Sequence, residues 1–212
     1  MIRITVLTVG KLKEKYLREG CDEYLKRLSA FSKVQVVELP ESRCPADPSP
    51  AEIQRVLEQE GDSILAKIPK GARVIPLCIE GRELSSAQLA ARVADFSQQS
   101  SHLIFVIGGS YGLSPRVKAA GDLQLSFGKM TLPHQLARLV LLEQIYRACA
   151  INNHSKYHKE KAGSPLGAHC RDCFIYFFVQ VSVISLPLLS IKAFILFELC
   201  FSKKTRIFRS PS

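Results

Sequence analysis

Acidic residues are scarce in this chain: 19 Asp and Glu stand against 29 Lys and Arg, a formal net charge of +10 over 212 residues. The imbalance favours a polyanionic partner, most simply RNA or an anionic membrane surface, although many soluble proteins are as basic and bind nothing anionic. A spaced G-x-G-x-x-G fingerprint and a P-loop are both missing, which excludes the common glycine-framed dinucleotide and nucleotide sites. No acid pair, Ser-His-Asp set or metal cluster stands out, so no metal is expected. The seven cysteines are odd in number and scattered. Cys170 and Cys173 form a C-x-x-C, but no second pair or suitably spaced histidines complete a zinc site. Cys21, Cys78 and Cys149 lie in apolar-periodic segments, where a free thiol behaves as a small hydrophobe. A reducing, cytoplasmic compartment fits this usage. No cleavable signal peptide is read at the start, because Met1 leads directly into an alternating strand and a lysine-rich helix.

What is present divides near residue 160. Upstream, apolar runs alternate with helical patterns. Strands are expected at 2–7, 34–39, 74–79, 103–107 and 122–126. Pro76 sits awkwardly in the third of these, which predicts a short or bulged strand there. Helices are expected at about 13–28, after the Ser49-Pro50 cap, after Ser85 or Ser86, after Ser114-Pro115, and from Pro133 to about Ile151. Strands alternating with helices predict an α/β fold, a mostly parallel sheet with helices on both faces.

Downstream the character changes. Residues 174–191 carry no charge, Lys192 interrupts, and 193–201 resume the apolar run before a basic end. Eighteen such residues reach the lower limit for a membrane span, so any membrane contact is expected only through 174–201. Additional core structure, or appended sequence that did not evolve with the domain, are the other readings of 160–212.

Two loops carry the chemical signal. The apolar run 104–107 enters Gly108-Gly109, where the backbone can turn sharply and approach a ligand without Cβ hindrance. The second loop, Phe127-Gly128-Lys129-Met130-Thr131-Leu132, enters the last helix at Pro133-His134. Together they can wall one small-molecule pocket. The last helix has little polar face, which predicts burial against more than one sheet and hence a homodimer centred on it. Glu143 and Arg147, spaced i,i+4, read either as a routine surface pair or as a desolvated pair orienting a ligand. The segment from Asn152 to Lys159 is polar, basic and aromatic. It suits either phosphate contact with base stacking on Tyr157 or a frayed helix end. The Lys11, Lys13, Lys15 and Arg18 cluster reads as a solvated face that could add phosphate contacts.

Over residues 1–159 the ordered set Val106-Ile107-Gly108-Gly109, Thr131-Leu132-Pro133-His134, Leu142 to Ala148 and Tyr157-His158 resembles the ribosomal RNA large subunit methyltransferase H family, the smallest SPOUT methyltransferases. The resemblance implies a SPOUT domain over 1–159 with a C-terminal trefoil knot, homodimers, and S-adenosylmethionine bound in the knot. It implies methylation of ring nitrogen N3 of a pseudouridine in large-subunit ribosomal RNA, in the assembled ribosome. By the same likeness Leu77, Gly108, Gly109, Phe127, Gly128, Lys129, Met130, Thr131 and Leu132 bind the cofactor. His134, Arg147, Tyr157 and His158 serve catalysis or substrate placement, with His158 favoured over His134 as proton acceptor. Family members usually stop after the Tyr-His ending, whereas this chain continues as the apolar and basic extension 160–212. A non-catalytic RNA-binding protein of the same fold, obstructed or membrane-tethered by that extension, is the alternative reading.

Overall fold

The structure, a computed structural model, describes residues 2–155 and 157. Ten elements follow in order: β1 (Arg3–Val9), α1 (Lys15–Leu28), β2 (Lys33–Leu39), α2 (Pro50–Leu65), β3 (Arg73–Glu83), α3 (Ser86–Gln99), β4 (His102–Ile107), α4 (Pro115–Ala119), β5 (Leu125–Ser126) and α5 (His134–Asn152). The strands form one five-stranded sheet in the order β2-β1-β4-β3-β5, with parallel pairing throughout. Parallel strands need crossovers and become covered on both faces, which is why β1 and β4 are almost uniformly buried.

Side-chain parity assigns the two faces. Leu7, Val9, Leu39, Ile104 and Val106 join Ile64 of α2 and Val117 of α4 in one core. The opposite parity, including Thr8 and Glu38, meets α5, where Arg138 donates to both. Helix α5 is flanked by α1 and α3. A Cβ on Gly20 would stand 3.1 Å from Leu139, so α1 and α5 pack closely. On the other side Ser86 Oγ bonds Gln144 Oε1 at 3.0 Å, and Asn152 Nδ2 donates to the Ala90 carbonyl at 2.9 Å. The sheet, α1 and α3 therefore supply, within one chain, the cover that the apolar character of α5 requires. Its composition alone is not an argument for a second copy.

The serine caps act as expected. Ser49 and Ser85 each form a reciprocal capping box, with Glu52 and Gln88, and Ser114 caps α4 ahead of Pro115. Helix α5 begins one residue later than expected, with Pro133 as its N-cap. The expected fifth strand over 122–126 shrinks to Leu125–Ser126, because Asp122 caps the start of β3 instead: its Oδ2 accepts the Val74 N–H at 2.7 Å. Strand β3 extends beyond the expected 74–79, but its ladder is broken. Pairing with β4 stops at Pro76, and Leu125 faces both Leu77 and Arg82, so residues 78–81 leave the ladder. Pairing with β4 thus ends at the residue that lacks an N–H, and the excursion begins two residues later. Residues 160–212 lie outside the described residues, as do His169, Cys170, Cys173 and the 174–201 stretch. Among the described residues no helix is long and apolar enough to cross a membrane.

Candidate active site at the carboxyl edge of the sheet

The sheet register places the loops. Glu38, Thr8 and Ile107 lie side by side across β2, β1 and β4. Leu77, one residue beyond the last β3–β4 pair, lies beside Ile107, and Leu77 pairs with Leu125 of β5. One row therefore runs through Ile107, Leu77 and Leu125, and the chain continues beyond it as Gly108 after β4 and, past Ser126, as Phe127 after β5. Strand spacing puts β4 and β5 about 10 Å apart, the span of a small-molecule ligand.

The second loop crosses this edge. It leaves β5 at Ser126 and delivers His134 to the end of β1, where a Cβ on Gly10 would lie 3.0 Å from His134 Nε2. Gln135 Oε1 accepts the Lys13 N–H at 2.9 Å, and Arg138 donates to the Gly10 carbonyl at 2.9 Å. From β5 to β1 is three strand spacings, about 15 Å, within reach of the connecting residues. The chain thus passes across the ends of β3 and β4.

The turn after β4 is tight. A Cβ on Gly108 would collide with the Gly112 carbonyl, and the Gly112 N–H donates to the Gly109 carbonyl at 3.1 Å. Gly112 and Gly128 hold positive φ, +85° and +121°, with open space where a Cβ would go. Ser126 Oγ donates to the Ile79 carbonyl at 2.9 Å and accepts the Gly128 N–H at 3.1 Å, tying the 78–81 excursion to the second loop. Apolar surface remains uncovered beside these turns: Ile79 is 49% exposed and Met130 69%. Leu77, Phe127 and Leu132 are half-buried; Lys129 and Thr131 are exposed.

Of the residues expected to serve catalysis, His134, Arg147 and Tyr157 are described, and they do not gather at one place. His134 starts α5, while Arg147 lies in its last turns, about 20 Å away at 1.5 Å per residue. Around Arg147 a second cluster forms. Glu143, 2% exposed, is bonded by Arg147 and Gln144, and the Tyr157 hydroxyl donates to its Oε1 at 3.2 Å. Tyr157 stacks edge-on against Tyr146 at 4.7 Å, and the Arg147 guanidinium lies 4.9 Å over its ring. Burial, with Glu143 beside it, pushes the Tyr157 hydroxyl well above the usual phenol range. In the Glu143–Arg147 pair the carboxylate is therefore buried, while the Arg147 side chain stays 25% exposed. Tyr157 folds back onto α5 instead of projecting outward. His158 lies outside the described residues.

Two residues emerge that sequence patterns did not single out. Arg138, 1% exposed, donates to Glu38 Oε1 at 2.6 Å, Thr8 Oγ1 at 3.2 Å and the Gly10 carbonyl, tying the end of β1 to the start of α5. Burial raises the Glu38 carboxyl, but the Arg138 and Leu12 N–H bonds outweigh it and hold Glu38 below the usual range. Glu60 is buried against Gly109. A charge inside the apolar stripe Ala137–Leu142 was the available signal for Arg138; Glu60 had none. Two clefts lie on the β2 side of this edge, and Leu77, Gly108 and 127–132 line neither: one of about 640 Å³ between Lys11, Arg18, Glu38 and Arg138, and one of about 340 Å³ between Glu41, Cys44, Glu60 and Tyr111. Among the described residues no group of His, Cys, Asp and Glu could hold a metal.

Glycine turns at the carboxyl ends of β4 and β5, two strand spacings apart, with the chain entering the last helix at the same edge, coincide with a family match. Residues 2–158 fit the family model described as "Predicted SPOUT methyltransferase". The chain belongs to the SPOUT methyltransferase family. It is 52% identical over 159 residues to ribosomal RNA large subunit methyltransferase H of Bifidobacterium animalis subsp. lactis (strain AD011), covering 74% of this chain and 100% of that relative. It is 50% identical over 159 residues to the protein of that name from Streptococcus gordonii (strain Challis), with the same coverage. The enzyme of Bacillus thuringiensis (strain Al Hakam) is 52% identical over 161 residues, again 74% of this chain and all of the relative.

Proposed function

We propose that this SPOUT family member transfers a methyl group from S-adenosylmethionine to ring nitrogen N3 of a pseudouridine in large-subunit ribosomal RNA, in the assembled ribosome. In this reading it works in the cytoplasm as a homodimer, with the chain after β5 threaded as a trefoil knot. The observation that carries the reading is the convergence of Leu77, Gly108 and the 127–132 loop at one edge. The names of the similar proteins support the substrate class, and the net charge of +10 suits a phosphate-rich partner.

The residues at the edge fit the cofactor. Glycine lets the main chain of the tight turns come close to a ligand, and exposed Ile79 and Met130, with half-buried Leu77, offer apolar surface of the kind an adenine ring covers. Leu77, Gly108, Gly109 and the run Phe127, Gly128, Lys129, Met130, Thr131 and Leu132 would hold it. S-adenosylmethionine, when bound, supplies an electrophilic sulfonium methyl. The chain's own part is to hold the accepting nitrogen in line, which can contribute up to about 7–11 kcal/mol. It must also accept the imino proton. A neutral imidazole, with an ordinary pKa of about 6.5, suits that task, and His158 is the favoured acceptor ahead of His134.

The distance between His134 and the Arg147–Tyr157 cluster supports the dimer. A protomer's own Arg147 is about 20 Å along the helix from the edge, so in this reading it serves the site of a second copy. Leu136, Val140, Gln144 and Arg147 form a half-exposed stripe on α5 that suits such a contact.

A second reading rests on the continuation to Ser212, past the matched span: an RNA-binding protein of the same fold whose extension obstructs turnover. Calorimetry with S-adenosylmethionine, followed by tritium-methyl incorporation into unmodified ribosomes and isolated large subunits, separates the two. Incorporation into ribosomes supports the enzyme; cofactor binding without incorporation supports the obstructed form; neither refutes both.

A further inference from the structure

Helix α2 meets the segment after β4 at two successive residues. Gly61 has no room for a side chain, because a Cβ there would collide with Ser114 Oγ, the cap of α4. One residue earlier Glu60, 4% exposed, faces Gly109: a Cβ on Gly109 would stand 2.8 Å from its Oε2 and 3.3 Å from its Oε1. Oε1 accepts the Ser42 N–H at 3.0 Å. Oε2 has no hydrogen-bond partner among the described residues. Ser110 Oγ donates to Glu41 Oε1 at 2.8 Å, so the segment after β2 is held both to the glycine turn and to the carboxyl beneath it.

We infer that Glu60 is the positioning residue for the Gly108–Gly112 turn: its carboxyl is the surface on which Gly109 rests, and it anchors the 41–42 segment that grips Ser110. The inference rests on the proposed function in so far as that turn is one wall of the cofactor site. The contact explains why glycine stands at 109, where φ alone does not demand it. A carboxyl is suited to the place because one oxygen takes the Ser42 N–H while the other presents a flat, compact edge to the Gly109 Cα. Burial pushes its pKa up and Glu41 adds to this, against the Ser42 N–H, in keeping with an Oε2 that lacks a donor. Arg43, Cys44 and Tyr111 complete the groups facing the same cleft.

The test is a double-mutant cycle on the full chain with two readouts: calorimetric affinity for S-adenosylmethionine, and hydrogen exchange at the Gly112 amide. Gly109→Ala forces a methyl against the carboxyl and is expected to weaken cofactor binding about tenfold or more. Glu60→Ala is expected to weaken it similarly and to speed Gly112 exchange about tenfold. With the carboxyl gone, Gly109→Ala added to Glu60→Ala should cost less than about threefold further. Glu60→Gln keeps the shape and the Ser42 acceptor, so affinity should stay within about threefold, and Gly109→Ala in that background should show its full loss. Should Glu60→Ala not fold, Glu60→Ser, which also withdraws the carboxyl, takes its place. Independent, additive losses with unchanged Gly112 exchange overturn the inference. If the wild-type chain binds no S-adenosylmethionine but the exchange pattern holds, the positioning role stands and the cofactor reading fails.

Discussion

His134 and Arg147 stand about 20 Å apart on one helix, the first against the Gly10 turn and the second bonded to buried Glu143. If both serve one reaction, they belong to different copies at each site. Mixed dimers of His134→Ala and Arg147→Ala, refolded from equal amounts, should then recover about a quarter of wild-type methyl incorporation, because half the dimers hold one intact site. No recovery above the separate variants would place the site within one protomer.

Arg138 is the tie between β1, β2 and α5. Arg138→Met leaves Thr8 Oγ1 and the Gly10 carbonyl without this donor, and Glu38 with the Leu12 N–H alone. We expect a loss of about 3 kcal/mol in denaturant unfolding, the low end for a broken buried pair because the Glu38 side chain is 35% exposed and can rehydrate. Unchanged stability would remove Arg138 from the core network.

Glu60 gives a pH signature. Its folded pKa is raised, mainly by burial, so the folded chain holds this proton more tightly than the unfolded chain does. That contribution is complete below the ordinary carboxyl range and is lost as pH rises through the folded value. Glu60→Gln, which does not ionise, should therefore gain in melting temperature relative to wild type between pH 5 and pH 8. An equal difference at both values contradicts the assignment.

His158→Ala is expected to retain S-adenosylmethionine affinity while losing turnover, read by calorimetry and tritium-methyl incorporation on the same preparation. Unchanged turnover removes that side chain from proton transfer and returns attention to His134.

Truncation after Lys159 is expected to leave a folded, active dimer by sedimentation and methyl incorporation. Failure of the shortened chain to fold, where the full chain does, would make 160–212 part of the domain.

Much of this architecture was legible because its punctuation is local. Ser49-Pro50, Ser85 and Ser114-Pro115 mark helix starts through hydrogen bonds made within a few residues. The glycines of the 108–112 and 127–132 segments likewise announce turns. What stayed hidden depends on contacts distant in sequence. The 78–81 excursion arises from how β5 meets β3, and the Glu60–Gly109 contact from how α2 crosses the chain after β4. Cover for α5 from α1 and α3 could not be read from its own composition, which records that a face is buried and not by what. Periodicity likewise gave no distance between His134 and Arg147 until the helix proved unbroken between them.

In the proposed function the turns beyond Ile107, Leu77 and Leu125 form the methyl-donor site. Backbone amide shifts of the full chain, followed during titration with S-adenosylmethionine, test it most directly. Saturable changes concentrated at 77–79, 108–112 and 127–132 are expected. Changes confined to the Lys11–Arg18 cleft, or none at all, would contradict it.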